Sequence, residues 1–547
     1  MKLSNTAAFT NRNKNNSSQP YFKGAEVFTQ ALNFLQTNQA MGATFVDAAF
    51  MCTPRTIVDF SRGPDAGLET ARREFSTNFN DAALGAYGML AALIFSGGIN
   101  KKYGIKANKL FVDDDTLETI TKIKNKYGNL NDDKNLKNCL NEIVGEMKGL
   151  TNKGWVGVKG SKDKIVTRFF ETLKPDEKIS EKELLKSLKQ YVNTLFVGET
   201  GVEQEVKIGN CKTKTNLDET TGNIYKTLKV FMNDKVSETF KASKNISDNK
   251  FIKSIKGLNK KTTLLGLALC AAVSASVQPI NTLLTKKKTG DAGFVGGGEE
   301  DKSANFKLLK AGAATLGGLG MFATIGTSIS KIMKNVQFKG LCPTLNQFKL
   351  VYGINVLARL LSARNKNELR ETSIRDSLGF TNWLIFGGFV SKLAAAGFSK
   401  LPQFKNDGLI RYNKAEHGKG WFNWITKSSV ISRKEALITG FKKAGKEITE
   451  TIDGKEVALS FKELLKKAPK NVKTKMLFLA LAQLSGYLYS GLVLGIGIPK
   501  LNIAITKAVE KKKHKNAGLE ENNQKNQEVN ASEQNVKILN QKLQIAS

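Results

Sequence analysis

Read only for hydrophobic and polar positions, the chain alternates between long uncharged runs and lysine-rich amphipathic stretches. Four runs lack Asp, Glu, Lys and Arg altogether: Ala82–Asn100, Thr262–Thr285, Ala311–Ser330 and Met476–Pro499. A helix rises about 1.5 Å per residue and roughly 20 apolar residues cross a bilayer core, so each run is long enough to span one. The second is bracketed by Lys260-Lys261 and Lys286-Lys287-Lys288, and the last closes on Pro499-Lys500. A fifth candidate, Leu378–Phe398, is interrupted only by Lys392, whose flexible stem lets the ammonium reach an interface. Lys349–Leu361 is shorter, contains Arg359 and reads as amphipathic. Gly and Ala crowd several runs, as in AGAATLGGLGMFATIGTS, and small residues let membrane helices pack closely.

The polar stretches carry helical signals of their own. From Tyr21 to Gln36, apolar residues recur at helical spacing. Met41–Val58 is mostly apolar but holds Asp47, Pro54 and Arg55, which suits a short buried helix or a re-entrant segment. Gly63-Pro64-Asp65 is a helix entry: proline fits the first helical position, and an aspartate favours the positive end of the helix dipole. Between the first two runs, ISEKELLKSLKQYVNTLF opens with Ser180 and Glu183 at capping-box spacing. It places Leu184, Leu185, Leu188, Val192 and Leu195 on one face. Asp113-Asp114-Asp115 and Asp132-Asp133 precede helical patterns and read as caps. Near the C-terminus, EITETI and KEVALSF flank Asp453-Gly454, the favoured two-residue hairpin turn. Trp421 and Trp424 belong to the core of that unit or to a membrane interface.

The fold class these signals predict is mostly α: a multi-spanning helical membrane protein with a helical soluble insertion and a small α+β element near the C-terminus. In order, the segments are a disordered arm (1–20), then an amphipathic helix, an Arg-rich segment and the first transmembrane run (21–99). A basic helical soluble domain (100–261) and a helical membrane region (262–398) follow. A small basic α+β unit with the hairpin (399–475), the last transmembrane run (476–506) and a disordered tail (507–547) complete the chain.

Composition narrows the function. The 547 residues carry 84 Lys and Arg against 49 Asp and Glu, a formal charge of +35. Such a surface favours anionic partners, here membrane lipid with acidic head groups. Nucleic acid is the weaker partner, because no RNA- or DNA-binding motif accompanies the charge. Lysine supplies 72 of the 84 basic residues in a chain rich in Asn, a bias that genome base composition also produces. Five dispersed cysteines form no disulfide or zinc pattern, and His417 and His514 are the only histidines, which excludes His-based triads. Gly440–Lys446, GFKKAGK, has Glu447 where a phosphate loop needs Ser or Thr. No catalytic motif and no cofactor site emerges, so the expectation is a protein that is not an enzyme. The N-terminus lacks an apolar core segment, so no cleavable signal peptide is expected and membrane entry falls to internal spans, with the cell inner membrane as the expected location.

Arginine placement stands out against the lysine background. Eight of twelve arginines fall in two windows: Arg55, Arg62, Arg72 and Arg73, then Arg359, Arg364, Arg370 and Arg375. A guanidinium forks onto carboxylate or phosphate in a way lysine does not reproduce. Each window also holds acids, Asp59, Asp65, Glu69 and Glu74 in one and Glu368, Glu371 and Asp376 in the other. The windows share words: Arg73-Glu74-x-Ser76 before Asp81 and Leu84-Gly85, and Arg370-Glu371-x-Ser373 before Asp376 and Leu378-Gly379. That match needs gaps and suggests an ancestral repeat. The candidate site residues are Arg55, Arg62, Arg72, Arg73, Arg370 and Arg375 with Asp59, Asp65, Glu69 and Glu371. They serve either as ion pairs locking helix ends or as a cradle for an anionic head group or phosphate. The leading expectation is scaffolding at an anionic membrane surface, compatible with a homo-oligomer or a protein partner. The alternatives are a transporter or lipid-handling protein using Arg55, Arg62, Arg72 and Arg370, and a soluble basic nucleic-acid binder.

Overall fold

The computed structural model describes residues 32, 33, 35, 39–149, 161–175, 179–196, 204–243, 245–290, 299–381, 387–405, 407–412, 414–452, 454–512 and 515. The N-terminal arm, nearly all of the helix expected from Tyr21 to Gln36, and all but the start of the tail lie outside these residues.

Met41–Val58 is helical throughout: α1 (Gln39–Asp47), a π-helical turn (Ala48–Cys52) and α2 (Thr53–Asp59). Pro54 has no N–H for the carbonyl one turn earlier, and the wider turn ahead of it absorbs that loss. Gly63 adopts φ +132, which a side chain rarely tolerates, and Pro64 opens α3 (Pro64–Ala82) as its motif predicts. A 48° bend at Ala83 leads into α4 (Leu84–Tyr103).

The insertion consists of α5 (Asp114–Tyr127), α6 (Asp133–Gly145), α7 (Ser161–Leu173), α8 (Glu181–Leu195), α9 (Leu217–Phe231) and α10 (Asp234–Lys241). Asp113, Asp132 and Ser180 cap α5, α6 and α8 through side-chain acceptors, as the sequence predicts. Leu117, Ile120, Leu140, Phe169, Leu188 and Val192 form its buried interior. The hydrophobic pattern did not predict its small antiparallel sheet, β1 (Met147–Lys148), β2 (Glu205–Ile208) and β3 (Thr215–Asn216). Strands of two to four residues leave too little alternation to read.

α11 (Lys250–Thr289) is 40 residues long; its start packs Phe251, Ile252 and Ile255 into the insertion and its later turns hold the second uncharged run. There follow α12 (Ala304–Ala323), α13 (Ile329–Asn335), α14 (Leu345–Leu361), α15 (Lys366–Thr381) and α16 (Gly387–Phe398). Next come β4 (Ile410–Arg411), α17 (Lys414–His417), α18 (Trp421–Lys427), β5 (Ser429–Val430) and α19 (Arg433–Lys443). The expected hairpin forms as β6 (Thr449–Ile452) and β7 (Lys455–Ala458), with Gly454 left-handed at φ +73. It docks on the insertion: Gln190 donates to the Ala458 carbonyl at 2.6 Å, and Lys164 pairs with Glu456 at 2.9 Å. A capping box of Ser460 and Glu463 starts α20 (Phe461–Lys467). α21 runs from Lys470 through a π-helical stretch, Gly491–Gly497, to Lys512.

The protein is mostly helical, and among the described residues two helices are long and apolar enough to cross a membrane, α11 and α21, with a third span if the bent α3–α4 pair counts as one. Of the five candidate runs, Ala82–Asn100, Thr262–Thr285 and Met476–Pro499 fall within these helices. The run Ala311–Ser330 is divided because α12 ends at Ala323. Within Leu378–Phe398, α15 covers the start and α16 the end, and residues 382–386 lie outside the described ones. Absence of charge is a weaker condition than sustained hydropathy in one unbroken helix, and glycine-rich segments satisfy only the first.

Candidate functional site

The two arginine windows, some three hundred residues apart in the chain, meet in one buried network. Glu74 on α3 is its hub. Its Oε1 accepts from Arg73 Nε at 3.2 Å and from an Arg375 Nη at 3.4 Å. Its Oε2 accepts from an Arg55 Nη at 3.4 Å and lies 3.5 Å from Arg359. Arg55 also donates to the Leu494 carbonyl at 3.1 Å, inside the π-helical stretch of α21. Arg359 continues to Asp376 at 3.2 Å.

On either side of the hub stand two bidentate bridges. Arg62 forks onto Glu371 at 2.6 and 3.0 Å, and Arg364 forks across Glu69 and Glu368. Each bridging glutamate is held from its far side by a polar turn of a long apolar helix. Asn281 and Thr285 on α11 donate to the Glu69 carbonyl and carboxylate at 2.9 and 2.8 Å. Asn502 and Thr506 on α21 donate to the same two groups of Glu371 at 3.0 and 2.5 Å. Arg72 and Arg370 complete the pattern, reaching Thr285 and Thr506 at 3.1 and 2.8 Å.

The sequence-predicted residues divide accordingly. Arg55, Arg62, Arg72, Arg73, Arg370, Arg375, Asp59, Glu69 and Glu371 all lie in or against this network; Asp59 accepts from Thr70 at 2.6 Å and sits 3.8 Å from Arg62. Asp65 stands apart, paired with Lys288 at 2.5 Å. Glu69 shares a face with Arg72 and Arg73, but its ionic partner is the distant Arg364. Sequence reasoning passed over Arg359 and Arg364 as site residues, and it missed Asn281, Thr285, Asn502 and Thr506. The available signal was an Asn-x3-Thr turn of strong hydrogen-bonding residues, one closing the uncharged run Thr262–Thr285 and one just past the run Met476–Pro499.

The electrostatics are those of a self-compensated cluster. Buried ions need partners, and here eight guanidiniums, four buried (Arg55, Arg73, Arg364 and Arg375) and four half-buried, stand among the carboxyls of Asp59, Glu69, Glu74, Glu368, Glu371 and Asp376. Burial acts against ionisation of Glu371, yet the Arg62 fork and the Thr506 hydroxyl leave its carboxyl below the usual carboxylate range. Burial and the neighbouring Arg73 depress Arg375, with Glu74 opposing.

A second polar cluster joins the insertion to the segment before α14. Asp113, Asp115 and Cys211 come close enough to share a cation. The ammonium of Lys339 already supplies positive charge there: it lies 3.0 Å from Asp113 and donates to Cys211 Sγ at 2.9 Å and the Thr213 carbonyl at 2.7 Å. Burial alone would raise Asp113, but Lys339 holds its carboxyl below the ordinary value.

The chain was compared with known protein families, curated proteins and solved structures, and it matches none of them.

Proposed function

We propose that this is an integral membrane protein that organises an anionic membrane surface, without catalytic chemistry of its own. α11 and α21 are its spans, with the bent α3–α4 pair as a third. The observation carrying this reading is the exposed apolar side of the long helices. Only 33% of the most apolar window of each is buried inside the protein. Ile280, Leu283 and Leu284 on α11, and Leu488, Leu492 and Leu501 on α21, point outward. Contiguous apolar surface of that extent is costly in water and satisfied by lipid. Exposed lysines flank it, Lys260, Lys261 and Lys286–Lys288 on α11 and Lys500 and Lys507 on α21. Trp421 is three-quarters exposed, which fits an interfacial anchor and not a core position.

Division of labour between the two cation types supports scaffolding over transport of an anion. Arg55, Arg62, Arg72 and Arg370 have protein partners at 2.6–3.4 Å, so an anionic substrate would compete with covalently tethered acceptors. The lysines are the cations that face outward. Full-length protein reconstituted in neutral liposomes tests the reading: it should tether added phosphatidylserine vesicles, and tethering should fall several-fold on Lys286–Lys288→Gln or in high salt. Equal capture of pure phosphatidylcholine vesicles would refute it.

A further inference from the structure

The two bridges are reciprocal, and a sequence repeat lies behind them. Arg62-x6-Glu69-Thr70-x2-Arg73-Glu74 and Arg364-x6-Glu371-Thr372-x2-Arg375-Asp376 align without a gap. In each, the first arginine stands two residues before its helix, α3 or α15. This register differs from the gapped pairing of Arg73-Glu74 with Arg370-Glu371. Each copy has its Asn-x3-Thr turn, on α11 or α21, making the same pair of hydrogen bonds to its own glutamate. The arginine of each copy reaches the glutamate of the other. When residue i of one unit meets j of the other, and j of the first meets i of the second, the units are related by a two-fold axis.

At the seam that symmetry stops. In the ungapped register Glu74 corresponds to Asp376 and Arg73 to Arg375. Glu74 collects Arg55, Arg73, Arg359 and Arg375, whereas Asp376 receives an ionic contact from Arg359. The counterpart of the Arg375–Glu74 contact would be Arg73 with Asp376. Arg73 Nη2 instead lies 3.2 Å from Glu74 Oε1 without a hydrogen bond to it, and Asp376 Oδ2 is buried with no hydrogen-bond partner. A frame with two-fold contacts that holds a lopsided pairing admits the mirror pairing as a second arrangement, biased here by Arg55 and Arg359, whose positions in the other copy are Leu357 and Ile57. Beside the quartet, the π-helical turns at Ala48–Cys52 and Gly491–Gly497 pack together, with Gly491 and Gly495 against the Phe50 carbonyl. Such turns are rare and occur frequently at functional sites.

We propose that the chain contains two copies of one helical unit, and that Arg73, Glu74, Arg375 and Asp376 form a two-state switch at their seam. In one state both arginines sit on Glu74; in the other both sit on Asp376. Membrane proteins built of repeats present alternate faces by rocking one repeat against the other. The proposal goes beyond the surface role above and holds whichever anionic partner that surface takes.

The test uses full-length protein in lipid nanodiscs, with Cys342→Ser to remove the half-exposed thiol; the other four cysteines are buried. Spin labels go on exposed positions of the two helices, Phe79→Cys on α3 and Leu378→Cys on α15. Pulsed electron resonance should give two distances, the minor one up to about a tenth of the total. Asp376→Asn should collapse the distribution onto one distance. Glu74→Asp with Asp376→Glu keeps every charge, so folding is retained, and it should move weight toward the other distance. A single distance, or two whose weights the charge-conserving swap leaves unchanged, overturns the proposal.

Discussion

Replacing Arg62 by alanine would isolate one reciprocal bridge. Its guanidinium makes two hydrogen bonds to Glu371, whose side chain is 1% exposed, so removal strands a buried carboxylate. Breaking a buried pair from one side costs about 3–5 kcal/mol. Glu371 keeps the Thr506 hydroxyl, and Arg375 at 4.0 Å, which points to the lower end, about 3 kcal/mol. For a cooperative unit of 150–250 residues each kcal/mol lowers Tm by about 2–4 °C, so the expected fall is roughly 6–12 °C. Thermal unfolding of the detergent-purified protein, followed by size exclusion and tryptophan fluorescence, reads it. Arg62→Glu should be worse, and Arg62→Glu with Glu371→Arg should recover at least half of that loss. Recovery is incomplete because the new arginine faces Arg375. A Tm unchanged in Arg62→Ala, or a swap no better than Arg62→Glu, would refute the assignment of this bridge as a stabilising buried pair.

Other consequences can be read on the same preparation. Asn502→Ala removes one buried hydrogen bond to a glutamate carbonyl and should cost about 1–3 kcal/mol, and Asn281→Ala removes the matching bond together with the acceptor that Arg72 Nε meets at 2.7 Å. The Asn281 loss should therefore be the larger; a cost at Asn281 with none at Asn502 would count against equivalent roles for the two carbonyl bonds. Gly495→Ala would place a methyl 2.8 Å from the Phe50 carbonyl and Pro54, so it should destabilise by about 1–3 kcal/mol, whereas Gly98→Ala, with open space around it, should be neutral. Burial pushes the Lys434 ammonium down to about 7, against the opposing attraction of Asp218. Between that value and the ordinary lysine range the unfolded chain binds the extra proton, so stability should rise with pH from about 7 toward 10. Lys434→Met should flatten that rise; an unaltered pH profile in the variant would contradict the assignment.

Local rules carried far in this sequence. Ser460 with Glu463, Asp113, Asp132 and Gly63-Pro64 mark helix starts because capping needs only a few adjacent residues. The Asp453-Gly454 hairpin follows from the same short-range logic. The arginine windows were visible as composition, but their pairing was not. Which carboxylate Arg62 or Arg364 meets depends on how α3 and α15 pack, and nothing local distinguishes Glu69 from Glu371 as partner. Helix extent was legible only in part for a related reason: Ala311–Ser330 lacks charge throughout, yet α12 ends inside it at Ala323, because absence of charge does not set where a helix stops.

The claim on which the rest stands is that α11 and α21 have lipid as their solvent. Washing membranes with alkaline carbonate tests it most directly. The full-length protein should stay in the pellet and come into solution only with detergent. Release into the carbonate supernatant as a folded, monodisperse species would contradict the account.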